Sequence, residues 1–276
     1  MIIIDELIIS ALKEDIGTGD ITTNTTIPKD AKVLGRFTAK ESGIICGLEI
    51  CERVFKISDE SIEFKAIKKD GDEVLSGEII AEVSGSARSV LTAERTAINL
   101  LQRLSGIATQ TSKAVAQISG TKAKIADTRK TTPGLRALEK YAVKTGGGTN
   151  HRFNLADGIL IKDNHITAAG GILNAVERAR ANAPHTLKIE VECETIKNVE
   201  DAITAKADII MLDNMSNEDM KKAVDFINGR AITEASGNMG DKDLLAAAKT
   251  GVDIISIGAL THSVRSMDIS LKFVLE

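Results

Sequence analysis

The 276-residue chain carries 35 lysines and arginines against 39 aspartates and glutamates, and this mildly acidic balance argues against a broad nucleic-acid-binding surface. The sequence shows no apolar run of the roughly 18–20 residues that a membrane span requires. Aromatic residues make up only 3%, so the core must consist of aliphatic side chains, a composition typical of parallel sheets buried on both faces. Cys46, Cys51 and Cys193 form no C-x-x-C pair, which argues against structural zinc and predicts reduced, buried thiols in a cytoplasmic protein.

The first third of the chain predicts a small β-rich module. Residues 1–30 are expected to form a short helix, not a signal peptide, followed by a polar loop. Residues 31–85 alternate short β-like runs with turn signals, which predicts a small sheet or sandwich-like fold. Residues 68–83 resemble the hammerhead of biotinyl or lipoyl carrier domains, but no modifiable lysine follows at a hairpin tip. We therefore expect this segment to be scaffold.

The next stretch, residues 89–118, has apolar residues at helical spacing. Gly106 is predicted to mark a break between two helices. Because the pattern changes from β-rich to alternating β and α after this point, we place a domain boundary near residue 105.

The second half of the chain alternates strand-like runs with helical segments, which predicts a parallel sheet that is either doubly wound or closed into a barrel. The strands are expected at residues 124–128, 158–163, 188–192, 208–213, 231–236 and 253–258. Each of these runs ends in polar residues except the last, which ends at Gly258. The carboxyl ends of all strands meet at one mouth only in a barrel, so a barrel is favoured, although six units are short of the usual eight.

Cationic residues concentrate between Lys124 and His165, which indicates a site for a small anionic ligand. One group follows strand-like runs or a glycine loop and is expected to face that ligand: Arg129, Lys130, His151, Arg152 and Lys162. A second group has helical spacing and is expected to form an ordinary helix surface or part of a subunit contact: Arg136, Lys140 and Lys144.

Acidic and small residues follow the later strands. Glu190 and Glu192 share one face of a strand, and with Asp213 they could hold Mg²⁺ on a phosphorylated substrate, or simply pair with Lys162 or Lys188. The turns S-G-N at 236–238 and S-I-G at 256–258 predict a phosphate-binding cradle. The sequence contains no H-E-x-x-H, G-x-S-x-G, P-loop or G-x-G-x-x-G motif, so the enzyme classes that depend on them are not supported.

These motifs together strongly resemble the quinolinate phosphoribosyltransferase family (nicotinate-nucleotide pyrophosphorylase, carboxylating). The most specific part of the match is A-D-T-R-K-T-T-P-G-L-R-A-L-E-K-Y-A-V-K-T-G-G-G-T-N-H-R at 126–152. It continues through residues 93–109, 159–166, 210–215, 234–238 and 255–263. The resemblance implies an α/β fold of the type II phosphoribosyltransferase kind, with an N-terminal open α/β sandwich (1–105) and an incomplete barrel (106–264). It also implies that the tail, residues 265–276, packs back on the first domain.

The resemblance implies a reaction in de novo NAD biosynthesis, in which quinolinate and phosphoribosyl pyrophosphate give nicotinate mononucleotide, pyrophosphate and CO₂ with Mg²⁺. The residues implied for quinolinate binding are Thr128, Arg129, His151, Arg152 and, donated across a subunit interface, Arg95. Those implied for phosphoribosyl pyrophosphate are Lys130, Lys162, Glu190, Asp213, Ser236, Gly237, Gly258 and His262. Of these, Lys130, Lys162, Glu190 and Asp213 are implied to be catalytic, and Glu190 and Asp213 are implied to bind the metal through substrate or water.

Three alternatives remain open from the sequence. A related phosphoribosyltransferase associated with molybdate transport shares part of the motif set and would act on another substrate. Nicotinate could replace quinolinate, although two carboxylates account better for so many cations. A non-catalytic binding or carrier module could rest on the hammerhead-like segment. The resemblance itself implies a homodimer or a hexamer with small-molecule substrates, and neither nucleic-acid nor membrane partners.

Overall fold

Residues 2–274 are described by the computed structural model, and contacts divide the chain into two compact units. The first unit contains the residues up to 110, residues 137–146 and the segment from residue 264 onward. The second unit contains residues 111–136 and 147–263. The last two residues of the predicted tail, 275–276, lie outside the described residues. Within the described range, no helix combines the length and apolar character needed to cross a membrane.

The first part of the chain consists of short strands and four helices: α1 (Ile2–Ile16), α2 (Ile21–Thr26), β1 (Lys32–Ala39), β2 (Gly43–Ile44), α3 (Leu48–Ser58), β3 (Glu63–Ala66), β4 (Glu73–Val74), β5 (Ile79–Ser86) and α4 (Ala87–Gln117). The second part alternates strands and helices: β6 (Lys124–Ala126), α5 (Arg136–Thr145), β7 (Ile159–Ile161), α6 (Asp163–Ala169), α7 (Ile172–Asn182), β8 (Ile189–Cys193), α8 (Ile196–Thr204), β9 (Ile209–Asp213), α9 (Asn217–Ile227), β10 (Ile232–Ser236), α10 (Leu244–Lys249), β11 (Ile254–Ser256), α11 (Ala259–His262) and β12 (Ile269–Phe273).

The first unit is built on a four-stranded antiparallel sheet with the order β12-β1-β5-β3. The end of the chain completes this sheet, because β12 pairs with β1 from Gly35↔Phe273 to Ala39↔Ile269. Phe37, Phe55 and Phe64 meet in its core with ring centroids 5.9–6.2 Å apart. Buried aliphatic residues of α1, α3 and α4 join them. This sheet with its packed helices is the open α/β sandwich that the resemblance implies.

The predicted helix break at Gly106 is wrong, because α4 runs without interruption from Ala87 to Gln117. A Cβ atom on Gly106 would lie 3.0 Å from the Cα of Ser266 and would also collide with the carbonyl oxygen of Arg265. The glycine is therefore explained by the close approach of the segment before β12, which no local pattern in α4 reveals. The predicted domain boundary at 105–106 lies inside this continuous helix.

The second unit contains a parallel sheet with the order β6-β11-β10-β9-β8-β7, so β6 and β7 form its two edges. All six predicted strands are present. A further bridge pairs Ala126 with Thr149, which extends the sheet beyond β6. The predicted parallel sheet with its alternating helices is confirmed. Within the described residues, the two edge strands β6 and β7 do not pair with each other, so the sheet stays open, as expected for an incomplete barrel.

Helix α5 is more buried than its charge pattern predicts. Lys140 has only 2% of its surface exposed, and Glu139 is completely buried with its carboxylate 2.6 Å from the Arg103 guanidinium. The prediction of a solvated helix surface is therefore wrong for Lys140, whereas Lys144 is exposed as expected. Ala137, Tyr141 and Lys144 form the exposed side of this short helix, whereas Lys140 is covered, so helical spacing of charges alone does not distinguish a solvated face from a covered one.

Candidate active site

The carboxyl ends of the parallel strands surround one cavity of about 500 Å³, which we call the mouth cavity. It is lined by Thr128, Arg129, Lys130, His151, Arg152, Leu160, Lys162, Glu192, Met211, Asp213, Asn214, Glu234, Ser236, Gly237, Asn238 and Ser256. These residues come from the ends of all six strands of the sheet and from the loop after α5. The predicted convergence of strand ends on one mouth is confirmed. The cavity has the size of an ordinary small-molecule site.

Two guanidinium groups, those of Arg129 and Arg152, face this cavity close to one another. Burial, and then the neighbouring Arg129 charge, lower the pKa of Arg152 below its ordinary value. Arg152 donates a hydrogen bond of 2.9 Å to the carbonyl of Gly158. The Nε of Arg129 is buried and has no hydrogen-bond partner among the described residues. The nearby Glu190 charge opposes the lowering of the Arg152 pKa to a smaller extent. Two half-buried like charges with an unsatisfied donor are unfavourable, so the pair is suited to binding a dicarboxylate.

The His151 ring is held in one orientation. The buried carboxylate of Asp127 accepts hydrogen bonds from the Asn150 side chain (2.6 Å) and from the backbone N–H of His151 (2.9 Å). The backbone N–H of Arg152 donates to Nδ1 of His151 at 2.8 Å. Because Nδ1 accepts, the ring proton belongs on Nε2, and His151 is neutral in this arrangement. The positive charge on this wall of the cavity therefore comes from the arginines.

Beneath His151 lie two buried carboxyl groups, those of Glu190 and Glu234, with 4% and 2% of their surfaces exposed. The Nε2 atom of His151 is 3.2 Å from Glu190 Oε2 and 3.6 Å from Glu234 Oε1. Burial, and then the Glu190 charge, raise the pKa of Glu234 to about 7. The three ligand atoms lie within 4.8 Å of one another, but a metal would need the Nε2 lone pair where the ring proton belongs. The geometry fits a shared proton better than a metal ion.

The acidic wall of the mouth cavity is formed by Glu192 and Asp213. Glu192 lies 2.7 Å from the ammonium group of Lys162, and Asp213 accepts a hydrogen bond of 2.6 Å from the Asn214 side chain. Glu190, which the resemblance implied for this wall, does not line the mouth cavity but faces His151 deeper in the sheet. The strand period placed both glutamates on one face, and Glu192 is the one nearer the carboxyl end of β8.

Small residues at the carboxyl ends of β10 and β11 form another part of the cavity wall. Gly237 has φ +89°, and a Cβ atom there would lie 2.6 Å from the backbone nitrogen of Asn214 and would also collide with its side-chain oxygen. The turn after β10 therefore requires glycine and leaves backbone N–H groups open to a ligand. Gly258 lies beside Lys130, because a Cβ at Gly258 would be 3.1 Å from Lys130 Cδ. Thr261 donates a hydrogen bond of 2.8 Å to the Lys130 carbonyl, which attaches the α11 turn to the same loop.

The structure thus brings nine of the implied residues together around one cavity: Thr128, Arg129, Lys130, His151, Arg152, Lys162, Asp213, Ser236 and Gly237. Gly258 and His262 lie next to Lys130, outside the lining set. Arg95 is exposed on α4 in the first unit. Sequence reasoning assigned no role to Asp127 and placed Arg136 on a helix surface. It gave Glu234 no role beyond that of one more polar residue at the end of a strand.

The fold is an open α/β barrel, and cationic side chains, carboxylates and a glycine turn line the cavity at its mouth. Fold and site together define the class of protein as a type II phosphoribosyltransferase. The family description "Quinolinate phosphoribosyl transferase, N-terminal domain" matches residues 20–105, and the corresponding C-terminal domain matches residues 107–272. The chain belongs to the quinolinate phosphoribosyltransferase family.

Known proteins similar to this chain agree with that assignment. A "Probable nicotinate-nucleotide pyrophosphorylase [carboxylating]" of Bacillus subtilis is 48% identical over 262 residues, covering 95% of this chain and 90% of the relative. A protein of the same name from Methanocaldococcus jannaschii is 45% identical over 273 residues, covering 96% and 95%. The solved structure of the nicotinate-nucleotide pyrophosphorylase from Francisella tularensis matches with a TM-score of 0.94 and 43% identity, covering 99% of this chain and 96% of that chain.

Proposed function

We propose that this protein is a quinolinate phosphoribosyltransferase (decarboxylating), a pentosyltransferase of NAD biosynthesis. It transfers the phosphoribosyl group of phosphoribosyl pyrophosphate to quinolinate and yields nicotinate mononucleotide, pyrophosphate and CO₂. The observation that carries the proposal is the pair Arg129 and Arg152, whose half-buried guanidinium groups need an anion between them. A pyridine with two adjacent carboxylates satisfies both groups, whereas nicotinate offers only one carboxylate.

The chemistry requires no nucleophile from the protein. The pyridine nitrogen of quinolinate attacks the anomeric carbon of the ribose while pyrophosphate leaves with the bonding electron pair. The protein's task is therefore to place the two substrates in line and to stabilise developing charge. Lys130 and Lys162 lie on the cavity wall where they can neutralise the leaving pyrophosphate. The C2 carboxylate of the quaternised ring then departs as CO₂, and the electron pair of the broken bond stays at C2, where the adjacent cationic nitrogen stabilises it. A proton from solvent then forms the C2–H bond of nicotinate mononucleotide.

The backbone of the Ser236–Asn238 turn supports a role in binding the 5′-phosphate of the phosphoribosyl group, with Gly258 and His262 close by. Thr128 lies at the arginine end of the cavity, where its hydroxyl accepts a hydrogen bond of 3.0 Å from the Lys130 backbone. His151 is proposed to contact the ring of quinolinate as a neutral group.

Mg²⁺ is proposed as the cofactor, held by carboxylates at the mouth cavity. Asp213 and Glu192 supply oxygen donors of the type that Mg²⁺ prefers, and Mg²⁺ commonly combines one or two such groups with substrate phosphates. The ion supplies charge neutralisation of the pyrophosphate group. We assign to Glu192 the role implied for Glu190, because Glu190 faces His151 and not the mouth cavity.

A homo-oligomer is proposed as the working form, with Arg95 donated to the quinolinate site of a neighbouring subunit. The exposure of Arg95 on α4 supports this assignment. We also propose a cytoplasmic location, which suits the three buried, unpaired cysteines. Light scattering of the active enzyme tests the oligomer, and a fully active monomer would remove Arg95 from the site.

The proposed reaction is tested by supplying purified protein with phosphoribosyl pyrophosphate, Mg²⁺ and either quinolinate or nicotinate. We expect equimolar CO₂ and nicotinate mononucleotide from quinolinate and little nucleotide from nicotinate. Absence of CO₂ with quinolinate would refute the proposal. Product formed only from another acceptor would favour the molybdate-transport-associated type of enzyme.

The two substrates are expected to depend on different walls of the cavity. Arg129→Ala removes half of the dicarboxylate site and should weaken quinolinate binding by about two orders of magnitude, because a charged hydrogen-bonded pair is lost. Asp213→Ala should weaken mainly phosphoribosyl pyrophosphate binding in the presence of Mg²⁺. Calorimetric titration of each variant with each substrate measures both effects, and equal losses on both substrates would contradict this division.

A further inference from the structure

The anion site depends on two separate segments of the chain. Arg129 lies in the loop that follows β6, and Arg152 lies in the loop that follows α5. Among residues 2–274, the sheet pairs these segments through the single bridge between Ala126 and Thr149, which precedes both arginines. Their spacing beyond that bridge must therefore come from side-chain contacts.

Arg136, the first residue of α5, makes such contacts with both segments. Its Nε donates to the hydroxyl of Thr131 at 2.9 Å, and its Nη2 donates to the carbonyl of Arg129 at 3.4 Å. Its Nη1 donates to the carbonyl of Phe153 at 3.2 Å. One guanidinium group thus links the segment that contains Arg129 to Phe153, the residue directly after Arg152. A planar fork with several donors is needed to reach all three acceptors, and a lysine ammonium cannot do so.

The same two segments are joined at their other ends by Asp127. Its carboxylate accepts from the Asn150 side chain at 2.6 Å and from the His151 backbone at 2.9 Å. Asp127 therefore holds the residues before Arg129 against the residues before Arg152. Arg136 holds the residues after them. With both ends attached, the two guanidinium groups are kept at a defined separation.

We propose that Arg136 is a positioning residue that sets the distance between Arg129 and Arg152 for a dicarboxylate substrate. This inference rests on the proposed function of the mouth cavity. Arg136 does not line that cavity, so it acts through the two segments and not by touching substrate. The phosphate turn and the acidic wall lie on other strands, so their ligand should not depend on Arg136.

The inference predicts a loss confined to one substrate. In Arg136→Ala the dissociation constant and KM for quinolinate should rise by about a hundredfold, the effect expected when binding groups are displaced by roughly 1 Å. Binding of phosphoribosyl pyrophosphate should stay close to that of the unchanged protein. Added guanidinium ion should partly restore quinolinate binding. Arg136→Lys should remain defective, because it keeps the charge and loses the fork.

Lys144→Ala is the matched control, since Lys144 is an exposed cation on the same helix. Equal weakening of both substrates in Arg136→Ala, or full function of Arg136→Lys, would overturn the inference. Circular dichroism shows whether a variant is misfolded. If Arg136→Ala is misfolded, the substrate binding of Arg136→Lys alone tests the inference. A failure of the proposed function is recognised separately, because the unchanged protein would then release no CO₂ from quinolinate.

Discussion

Replacement of Glu234 by glutamine is expected to stabilise the protein at alkaline pH and to leave its stability unchanged at acidic pH. Glu234 has 2% of its surface exposed and faces Glu190 and His151. Its Oε1 atom has no hydrogen-bond partner among the described residues. Burial, followed by the Glu190 charge, raises its pKa from 4.5 to about 7. Glutamine keeps the shape of the protonated carboxyl group without being able to ionise.

The size of the effect follows from the pKa difference between the folded and unfolded states. Between pH 4.5 and about 7 the folded protein holds a proton on Glu234 that the unfolded chain has released, so the free energy of unfolding falls as the pH rises. At about 1.4 kcal/mol per pKa unit, the loss reaches about 3 kcal/mol and is constant above that range. The Glu234→Gln protein does not lose this free energy of unfolding as the pH rises. Because the site is fully buried, solvent screening does not reduce the difference.

Urea unfolding followed by circular dichroism at about pH 5 and about pH 8 measures the difference between the two proteins. Because the chain forms two units, we expect the change in the transition of the second unit, which contains Glu234. Glu177→Gln, at an exposed glutamate of α7, is the control and should change neither transition. A stability difference that is the same at both pH values would show that Glu234 is ionised in the folded protein and would refute the reasoning.

Two further results are expected from the geometry. Gly237→Ala should weaken phosphoribosyl pyrophosphate binding by about tenfold or more while quinolinate binding is kept, because the +89° φ angle and the contact with Asn214 force the turn to move; titration with each substrate measures this, and unchanged phosphate affinity would contradict it. Cys46, Cys51 and Cys193 are buried, and burial raises the pKa of Cys46 and of Cys193 to about 12. A thiol reagent should therefore label none of the three in the folded protein and all of them in urea, whereas one fast-reacting thiol without denaturant would contradict this expectation.

The sequence by itself determined the features that depend on local periodicity. The six strands of the second unit were found because each is a short aliphatic run bounded by polar residues. Parallel strands place their carboxyl ends on one side, so the sequence alone assigns residues such as Arg129, Lys162 and Asp213 to a common cavity, which the structure shows. The position of Arg152 after a glycine-rich loop likewise assigns it to this cavity from the sequence alone.

Only the tertiary structure decided which of two glutamates on one strand face lines the mouth cavity. Glu190 and Glu192 share one strand face, and depth along the strand places Glu192 at the mouth and Glu190 against His151. The period of a strand specifies a face but not a distance from its end.

Contacts between distant parts of the chain decided the rest. Gly106 belongs to an unbroken helix because residues 265–266 pass against it, and Lys140 is covered although its spacing resembles that of a solvated charge. Arg136 joins the segments of Arg129 and Phe153 through three acceptors that lie outside α5, so the pattern of that helix does not reveal the proposed positioning role. Such contacts arise from the packing of whole helices and strands, and the local propensity of a segment does not predict them.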